Sequence, residues 1–222
     1  MTRSTPNVND REKPNKAAHM NQHEKFLESV RHVAKLCAVA AMTAPKSGGQ
    51  LFLKGGTPFI ETVIVEEKAA LKKLADWLRT QGDKHKEAIW YRDADTAEKL
   101  DLVLFIGLCG WYPPQYDCGA CGYATCAEFL QAKPAHATPA SADWQFNGPV
   151  CQLRALDLGI AIGSAAKTAS LNNIDTRCQT RIAAAARHLG VIQADLAVAL
   201  SMSVSHKNIF FDKKMPEVKF PA

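Results

Sequence analysis

The sequence lacks the long apolar run that a membrane-spanning helix requires. Such a helix needs roughly 20 consecutive apolar residues, whereas the best candidate, Leu102–Cys109, has only the length of a strand. The N-terminal residues also lack the apolar core of a secretory signal, and the acidic residues among them argue against a transit peptide. We therefore expect a cytoplasmic protein with no membrane-bound segment.

A concentrated run of basic residues is also missing. The net charge is +5, but part of the excess is spread over Arg3, Arg11, Lys13, Lys16 and Lys25 near the N-terminus. Proteins that bind nucleic acid usually carry lysine and arginine clustered on one face. The charge pattern therefore predicts no nucleic-acid partner.

Cysteines are present in an odd number, seven, in a chain with no export signal. In a reducing compartment, clustered thiols indicate metal or redox chemistry before disulfides. Three of the seven lie in the segment Asp117–Cys126, which reads DCGACGYATC and has the spacing C-x2-C-x4-C. This segment is the strongest functional signal in the sequence.

An iron–sulfur cluster held by thiolates needs four ligands, and a compact run usually supplies three of them. Cys118, Cys121 and Cys126 form such a run. Gly119 and Gly122 follow the first two cysteines, and glycine permits the positive φ angles that point backbone N–H groups at the cluster. The fourth ligand is sought among Cys37, Cys109, Cys151 and Cys178.

Among these candidates, Cys151 is the predicted fourth ligand. It ends a loop and opens a predicted helix, whose dipole favours an anion at that end. Cys37 lies on the apolar face of a predicted helix, and Cys178 lies inside another. Cys109 would have to fold back across the rigid segment Trp111–Pro114, although it stays open as a replacement for Cys151.

Zinc and disulfides are the alternatives to iron and sulfide at this site. Four-cysteine zinc sites are common, but a C-x4-C arm is less usual than paired C-x2-C knuckles, and no histidine stands at a suitable spacing. The spacing therefore favours a [4Fe-4S] cluster over zinc, and over [2Fe-2S].

The hydrophobic periodicity predicts a mixed α+β fold, a sandwich of helices and sheet. The predicted elements are helix Asn21–Ala44, strand Ile60–Val65, helix Glu66–Thr80 closed by Gly82, strand Ala88–Tyr91, helical turn Asp95–Lys99, central strand Asp101–Gly107, a short helix after Cys126, helix Leu153–Ser170, helix Asp175–Leu189, and strands Leu196–Val204 and Ile209–Phe211. We predict one domain over residues 23–215 with a cluster-binding insertion at 109–151, and flexible tails at 1–22 and 216–222.

Two further features of the predicted helices carry expectations. Gly159 and Gly163 are four residues apart, which predicts close approach of another backbone because glycine otherwise weakens a helix. Asp157 and Asp175 precede helical stretches and are interpreted as N-cap residues.

Several segments occur in an order that resembles a known family. They are TAPKSGG (Thr43–Gly49), DCGACGYATC, GPVC (Gly148–Cys151), DLGIAIGSAAKTAS (Asp157–Ser170), NIDTR (Asn173–Arg177) and KNIFFDK (Lys207–Lys213). Over about Glu24 to Lys213 the chain resembles the DUF2148 family, ferredoxin domain-containing proteins of unknown function. The resemblance implies a cluster on the four cysteines and a prokaryotic cytoplasmic location. The cysteine run is also similar to [4Fe-4S] segments of corrinoid iron–sulfur proteins and of membrane electron-transfer complexes.

A fainter resemblance connects the chain with nitroreductase-like flavoproteins, which bind FMN at a dimer interface. It implies a nitroreductase-like fold with an inserted iron–sulfur loop, a homodimer, and FMN as a second cofactor. Lys46, Ser47 and Gly48 would then approach the flavin phosphate, with Lys207 as a second cation. The alternative is that Pro45–Gly49 is an ordinary loop and that Lys207 is a solvated charge.

Together these features predict an iron–sulfur protein that transfers electrons or acts as an oxidoreductase. Its partner would be a redox protein or a small-molecule substrate, and no residue is assigned to catalysis. The alternatives are a non-redox cluster protein that senses oxygen or iron supply, and a zinc-stapled binding module.

Overall fold

A four-stranded antiparallel sheet forms the centre of the structure. The computed structural model describes residues 16–48, 58–139, 143–205 and 208–211, with side chains from residue 25 onward. The strands are β1 (Ile60–Val65), β2 (Leu102–Leu108), β3 (Asp175–Gln179) and β4 (Leu196–Ser203). They are ordered β1-β2-β4-β3, and each neighbouring pair is antiparallel.

Helices cover both faces of this sheet. Within the described residues they are α1 (Lys16–Thr43), α2 (Lys68–His85), α3 (Ala88–Lys99), α4 (Cys126–Ala132), α5 (Gln152–Leu171) and α6 (Thr180–His188), with a 3-10 turn at Lys133–His136. Helices α1 and α5 pack on one face, and α2, α3 and α6 pack on the other. No helix among the described residues combines the length and the apolarity that crossing a bilayer would take.

Strand β2 is buried along its whole length because it lies inside the sheet and between the two helical layers. Its side chains alternate between the faces, as the period of a strand requires. Leu102, Leu104, Ile106 and Leu108 join the core under α1 and α5, while Val103 and Phe105 join the core under α2, α3 and α6. The predicted central strand, the strand Ile60–Val65 and the mixed α+β class are confirmed.

The segment after α2 differs from its prediction. The expected strand Ala88–Tyr91 and the helical turn Asp95–Lys99 form one continuous helix, α3. Trp90, Ala94 and Ala97 recur at helical spacing and bury one face in the core beside α2. Packing of that face therefore outweighs the strand propensity of the residues around Trp90.

One glycine prediction is also wrong, and a second finds no counterpart within the described residues. Gly82 does not end α2, which continues to His85 and stops at Lys86 in the left-handed conformation. A Cβ atom at Gly82 would lie 2.4 Å from Cε2 of Tyr91, so this glycine serves the contact between α2 and α3. Gly159 and Gly163 meet no described atom within 4 Å of a Cβ built on them, so nothing in the described chain approaches them closely.

Near the C-terminus, the predicted helix Asp175–Leu189 is split. Its first residues form β3, which pairs with β4 in the register Arg177↔Ser201, and only Thr180–His188 is helical. Asp175 therefore begins a strand and caps no helix. The predicted strand Ile209–Phe211 is a turn. The predicted tail 216–222 lies outside the described residues.

Candidate metal centre

The cysteine run is anchored where the chain leaves β2. The Cys109 N–H donates to the Phe59 carbonyl at 2.9 Å, which extends the pairing between β1 and β2 by one bond. Trp111 is buried, and its ring N–H donates to Asp195 Oδ2 at 2.8 Å. Its ring also lies 6.4 Å from the ring of Phe129 in α4. These contacts fix both flanks of the run.

Within the run, glycines and one aspartate turn the backbone. Gly119 and Gly122 have φ of 72° and 84°, and the Gly122 N–H donates to the Gly119 carbonyl at 3.0 Å. This is the left-handed geometry expected of them. Asp117 also has a positive φ, 47°, and its Oδ1 accepts the Cys126 N–H at 2.7 Å. The run therefore closes on itself.

Cys151 reaches the run from a separate part of the chain. It is buried and occupies the N-cap position of α5. The next residue, Gln152, donates its N–H to the Cys121 sulfur at 3.3 Å. Burial raises the pKa of the Cys151 thiol, while the backbone N–H groups of Arg154 and Leu153 act in the opposite direction. The first turn of α5 thus directs backbone donors at two sulfur atoms.

The four predicted cysteines line one cavity. Its lining includes Cys118, Cys121, Cys126 and Cys151, together with Asp117, Pro113, Pro114, Tyr123, Phe129 and Leu153. Cys118 is exposed whereas Cys151 is buried, so the cavity is open toward solvent on the side of Cys118.

The other cysteines lie elsewhere and do not line this cavity. Cys37 is buried between α1 and α5, and burial raises its pKa to about 11. Burial, followed by the adjacent Glu61 carboxylate, raises the pKa of Cys109 to about 12. Cys178 lies on β3 and not in the predicted helix. Because the Cys109 thiol interacts with Glu61 of β1, it points toward β1 and not toward the run.

The donor set fits an iron–sulfur cluster. Four thiols line one cavity, and backbone N–H groups point at two of their sulfur atoms. A cluster takes four thiolates, and such donors offset its negative charge. Within the described residues, no three His, Cys, Asp or Glu side chains are grouped closely enough to hold a single metal ion.

The residues predicted for the flavin phosphate have their donors engaged within the protein. The Lys46 ammonium donates to the carbonyls of Ala41, Met42 and Ala44 at 2.9, 2.9 and 2.7 Å, and closes the end of α1. The Ser47 N–H donates to Asp157 Oδ1 at 2.7 Å, and the Gly48 N–H donates to the Tyr116 hydroxyl at 3.1 Å. Lys207 lies outside the described residues. The flavin site stays a prediction.

A buried ion pair, which the sequence analysis did not predict, connects the segments around the cavity. Arg154 Nη1 lies 2.8 Å from Asp157 Oδ2, and both side chains are almost fully buried. Arg154 also donates to the carbonyls of Tyr112 at 2.6 Å and Ser47 at 2.7 Å, and its guanidinium lies 3.9 Å from the centre of the Phe59 ring. The interpretation of Asp157 as an N-cap is wrong, because it lies inside α5. Arg154 and Asp157 are three residues apart, a spacing at which helical side chains meet, so the sequence could have indicated the pair.

Comparison with known proteins assigns the family. Residues 147–213 match the sequence model described as "Uncharacterized protein containing a ferredoxin domain (DUF2148)", and residues 114–135 match one described as "Putative Fe-S cluster". An uncharacterized protein of Archaeoglobus fulgidus is 35% identical over 196 residues, covering 87% of this chain and 97% of the relative. The chain belongs to the DUF2148 family.

Each of the two matched segments of this DUF2148 protein contributes cysteines to the cavity. Residues 114–135 contain Cys118, Cys121 and Cys126, and residues 147–213 contain Cys151. The matches identify an iron–sulfur protein with a ferredoxin domain. They agree with the resemblance that the cysteine spacing carried.

Proposed function

We propose that this DUF2148 protein binds one [4Fe-4S] cluster through Cys118, Cys121, Cys126 and Cys151 and acts as a one-electron carrier. The observation that supports the proposal is the convergence of four thiols, from two separated segments, on one cavity. When bound, such a cluster gains and loses single electrons at a potential set by its surroundings.

The protein contributes a partly dry, donor-rich setting. Phe129, Leu153 and the adjacent prolines form apolar walls on the inner side of the cavity. The N–H of Gln152 and the first turn of α5 direct partial positive charge at the sulfurs of Cys121 and Cys151. Donors to ligand sulfur stabilise the more negative, reduced state, whereas low solvent access opposes it.

The exposed side of the cavity is the proposed route for electrons. Cys118 is exposed, and Tyr112 and Tyr116 beside it are 73% and 58% exposed. A reduced redox protein or small molecule would donate one electron there, and an oxidised acceptor would remove it. The donor and the acceptor are therefore proposed as chemical classes, a redox protein or a small molecule.

FMN and a homodimer remain predictions beside this proposal. The engagement of Lys46, Ser47 and Gly48 within the chain does not favour a phosphate at that loop. The cluster proposal does not depend on a flavin. A flavin held elsewhere would extend the function toward a flavoprotein oxidoreductase.

The test is anaerobic purification with iron, sulfide, zinc and flavin quantified per chain. We expect about four irons and about four sulfides, with a broad visible absorption that bleaches on addition of dithionite. A cluster that does not bleach would favour the sensor alternative. A colourless protein that contains zinc and no iron would overturn the proposal, and stoichiometric flavin would add the second cofactor.

A further inference from the structure

We propose that Asp117 is a positioning residue of the metal centre, whose carboxylate closes the cysteine run and sets a fixed negative charge beside the cluster. The inference rests on the proposed function, because it concerns the same four cysteines. It assigns a task to a side chain that is not itself a ligand.

A hydrogen bond crosses the cysteine run and links its two ends. Asp117 Oδ1 accepts the Cys126 N–H at 2.7 Å, across nine positions of sequence. Cys118 and Cys121 lie between the two bonded residues, so this bond ties the first ligand to the third. A carboxylate acceptor makes a stronger bond to a backbone N–H than a neutral acceptor does. The N–H it satisfies opens α4, where no partner within the helix is available.

The backbone of Asp117 has an uncommon conformation. Asp117 has φ of 47°, in the left-handed region that non-glycine residues rarely adopt. Glycine occupies the equivalent geometry twice in the same run, at Gly119 and Gly122. Asp is one of the few non-glycine residues that visit this region, because its short side chain can hydrogen-bond locally. Here that side chain bonds to the Cys126 N–H, so Asp117 combines the turn with the link to the third ligand.

Asp117 also brings a negatively charged group to the cavity. Asp117 lines the cavity that the four cysteines surround. Net charge near a cluster is one of the features that set its potential, and a nearby negative charge disfavours the addition of an electron. Because Asp117 is exposed to water, salt screens its charge, and the effect is largest at low ionic strength.

Glu128 provides a matched control in the same segment. Its Oε2 accepts the Ala124 N–H at 3.2 Å, so it too is a carboxylate bonded to the backbone of the run. It does not line the cavity, and it binds no N–H of a cysteine. The two acidic residues differ mainly in their relation to the cluster.

The experiment compares Asp117→Asn, Asp117→Ala and Glu128→Gln with wild type. Each is assayed for iron retention in chelator competition and for midpoint potential by EPR-monitored titration at low and high salt. We expect Asp117→Asn to retain iron, because the amide oxygen still accepts the Cys126 N–H, and to shift the potential upward, most at low salt. Asp117→Ala should bind iron roughly 10- to 100-fold more weakly, the usual cost of losing an outer-shell partner. Glu128→Gln should match wild type in both measurements.

Three results would overturn the inference. They are wild-type iron retention in Asp117→Ala, an unchanged potential in Asp117→Asn, and an equal shift in Glu128→Gln. If Asp117→Ala does not fold, the Asn variant and its potential still decide the matter. Wild-type protein without iron would instead reject the proposed function, so the two failures are distinguishable.

Discussion

On one face of the sheet, α2, α3 and α6 pack through a cluster of buried apolar side chains that includes no described cysteine, whereas the layer of α1 and α5 on the other face continues into the cysteine cavity. The first face is built from regular elements, with large side chains such as Trp90 and Phe105 packed among buried alanines at positions 183, 185 and 186 of α6. The cavity is built from turns, and its parts are tied by single hydrogen bonds. We therefore expect the first face to be stable without metal, and the cavity to take part of its stability from metal binding.

The largest expected effect concerns the fourth thiolate. Cys151→Ser removes one of the four cavity thiols, so most of the iron should be lost after anaerobic purification. Cys37→Ser is the control, because Cys37 is equally buried on the same face but lies outside the cavity. Iron and sulfide per chain are measured in both. Full loss from Cys109→Ser, with iron kept by Cys151→Ser, would show that the fourth ligand is Cys109.

Removal of iron should separate the two regions in hydrogen exchange. After chelation under anaerobic conditions, amides of residues 111–126 should lose protection, since turns with few buried contacts open at low free energy. Amides of α2 and α3 should keep theirs, because both helices pack in the core on the face opposite the cavity. Equal loss in both regions would mean that the metal stabilises the whole fold.

The buried ion pair should matter more than an exposed one. Arg154→Met leaves the Asp157 carboxylate buried and unpaired, which typically costs about 3–5 kcal/mol of unfolding free energy. On the other face, Lys72 pairs with Asp76 at 2.7 Å, and both side chains are more than half exposed. Lys72→Met should cost less than about 1 kcal/mol. Urea unfolding of the two variants measures both values, and similar costs would contradict the distinction.

The smallest expected effects have opposite signs at two glycines. Gly82→Ala would place a methyl group against the Tyr91 ring, which should cost about 1–3 kcal/mol. Gly163→Ala meets open space in the described chain and should stabilise α5 by up to about 1 kcal/mol. Thermal unfolding measures both. A destabilising Gly163→Ala would point to a second chain packed on α5, as the predicted homodimer would require.

Local sequence signals account for the backbone turns of the cysteine run, whereas the assignment of its ligands stays a prediction. The spacing of Cys118, Cys121 and Cys126 and the glycines between them prescribe a turn whose geometry depends on neighbouring residues alone. Cys151 could be chosen as the fourth candidate because the sequence around it indicates the start of a helix.

Long-range packing accounts for what was missed. Arg154 bonds to Ser47 across 107 positions and to Tyr112 across 42, and no local pattern records such pairings. Strand β3 has mostly polar residues and forms because β4 offers it a paired edge. The helix α3 forms because Trp90 and Ala94 find a core, although the residues around Trp90 favour a strand.

The position of Cys118 at the rim also determines how the protein tolerates air. The exposed side of this sulfur admits dioxygen and peroxide, and an accessible thiolate is the first to be oxidised. Damage should therefore start at this corner and spread inward, with Cys151 the last of the four sulfurs to be reached. A buried sulfur that outlasts the other three would leave the damaged site a remaining thiol from which to rebuild.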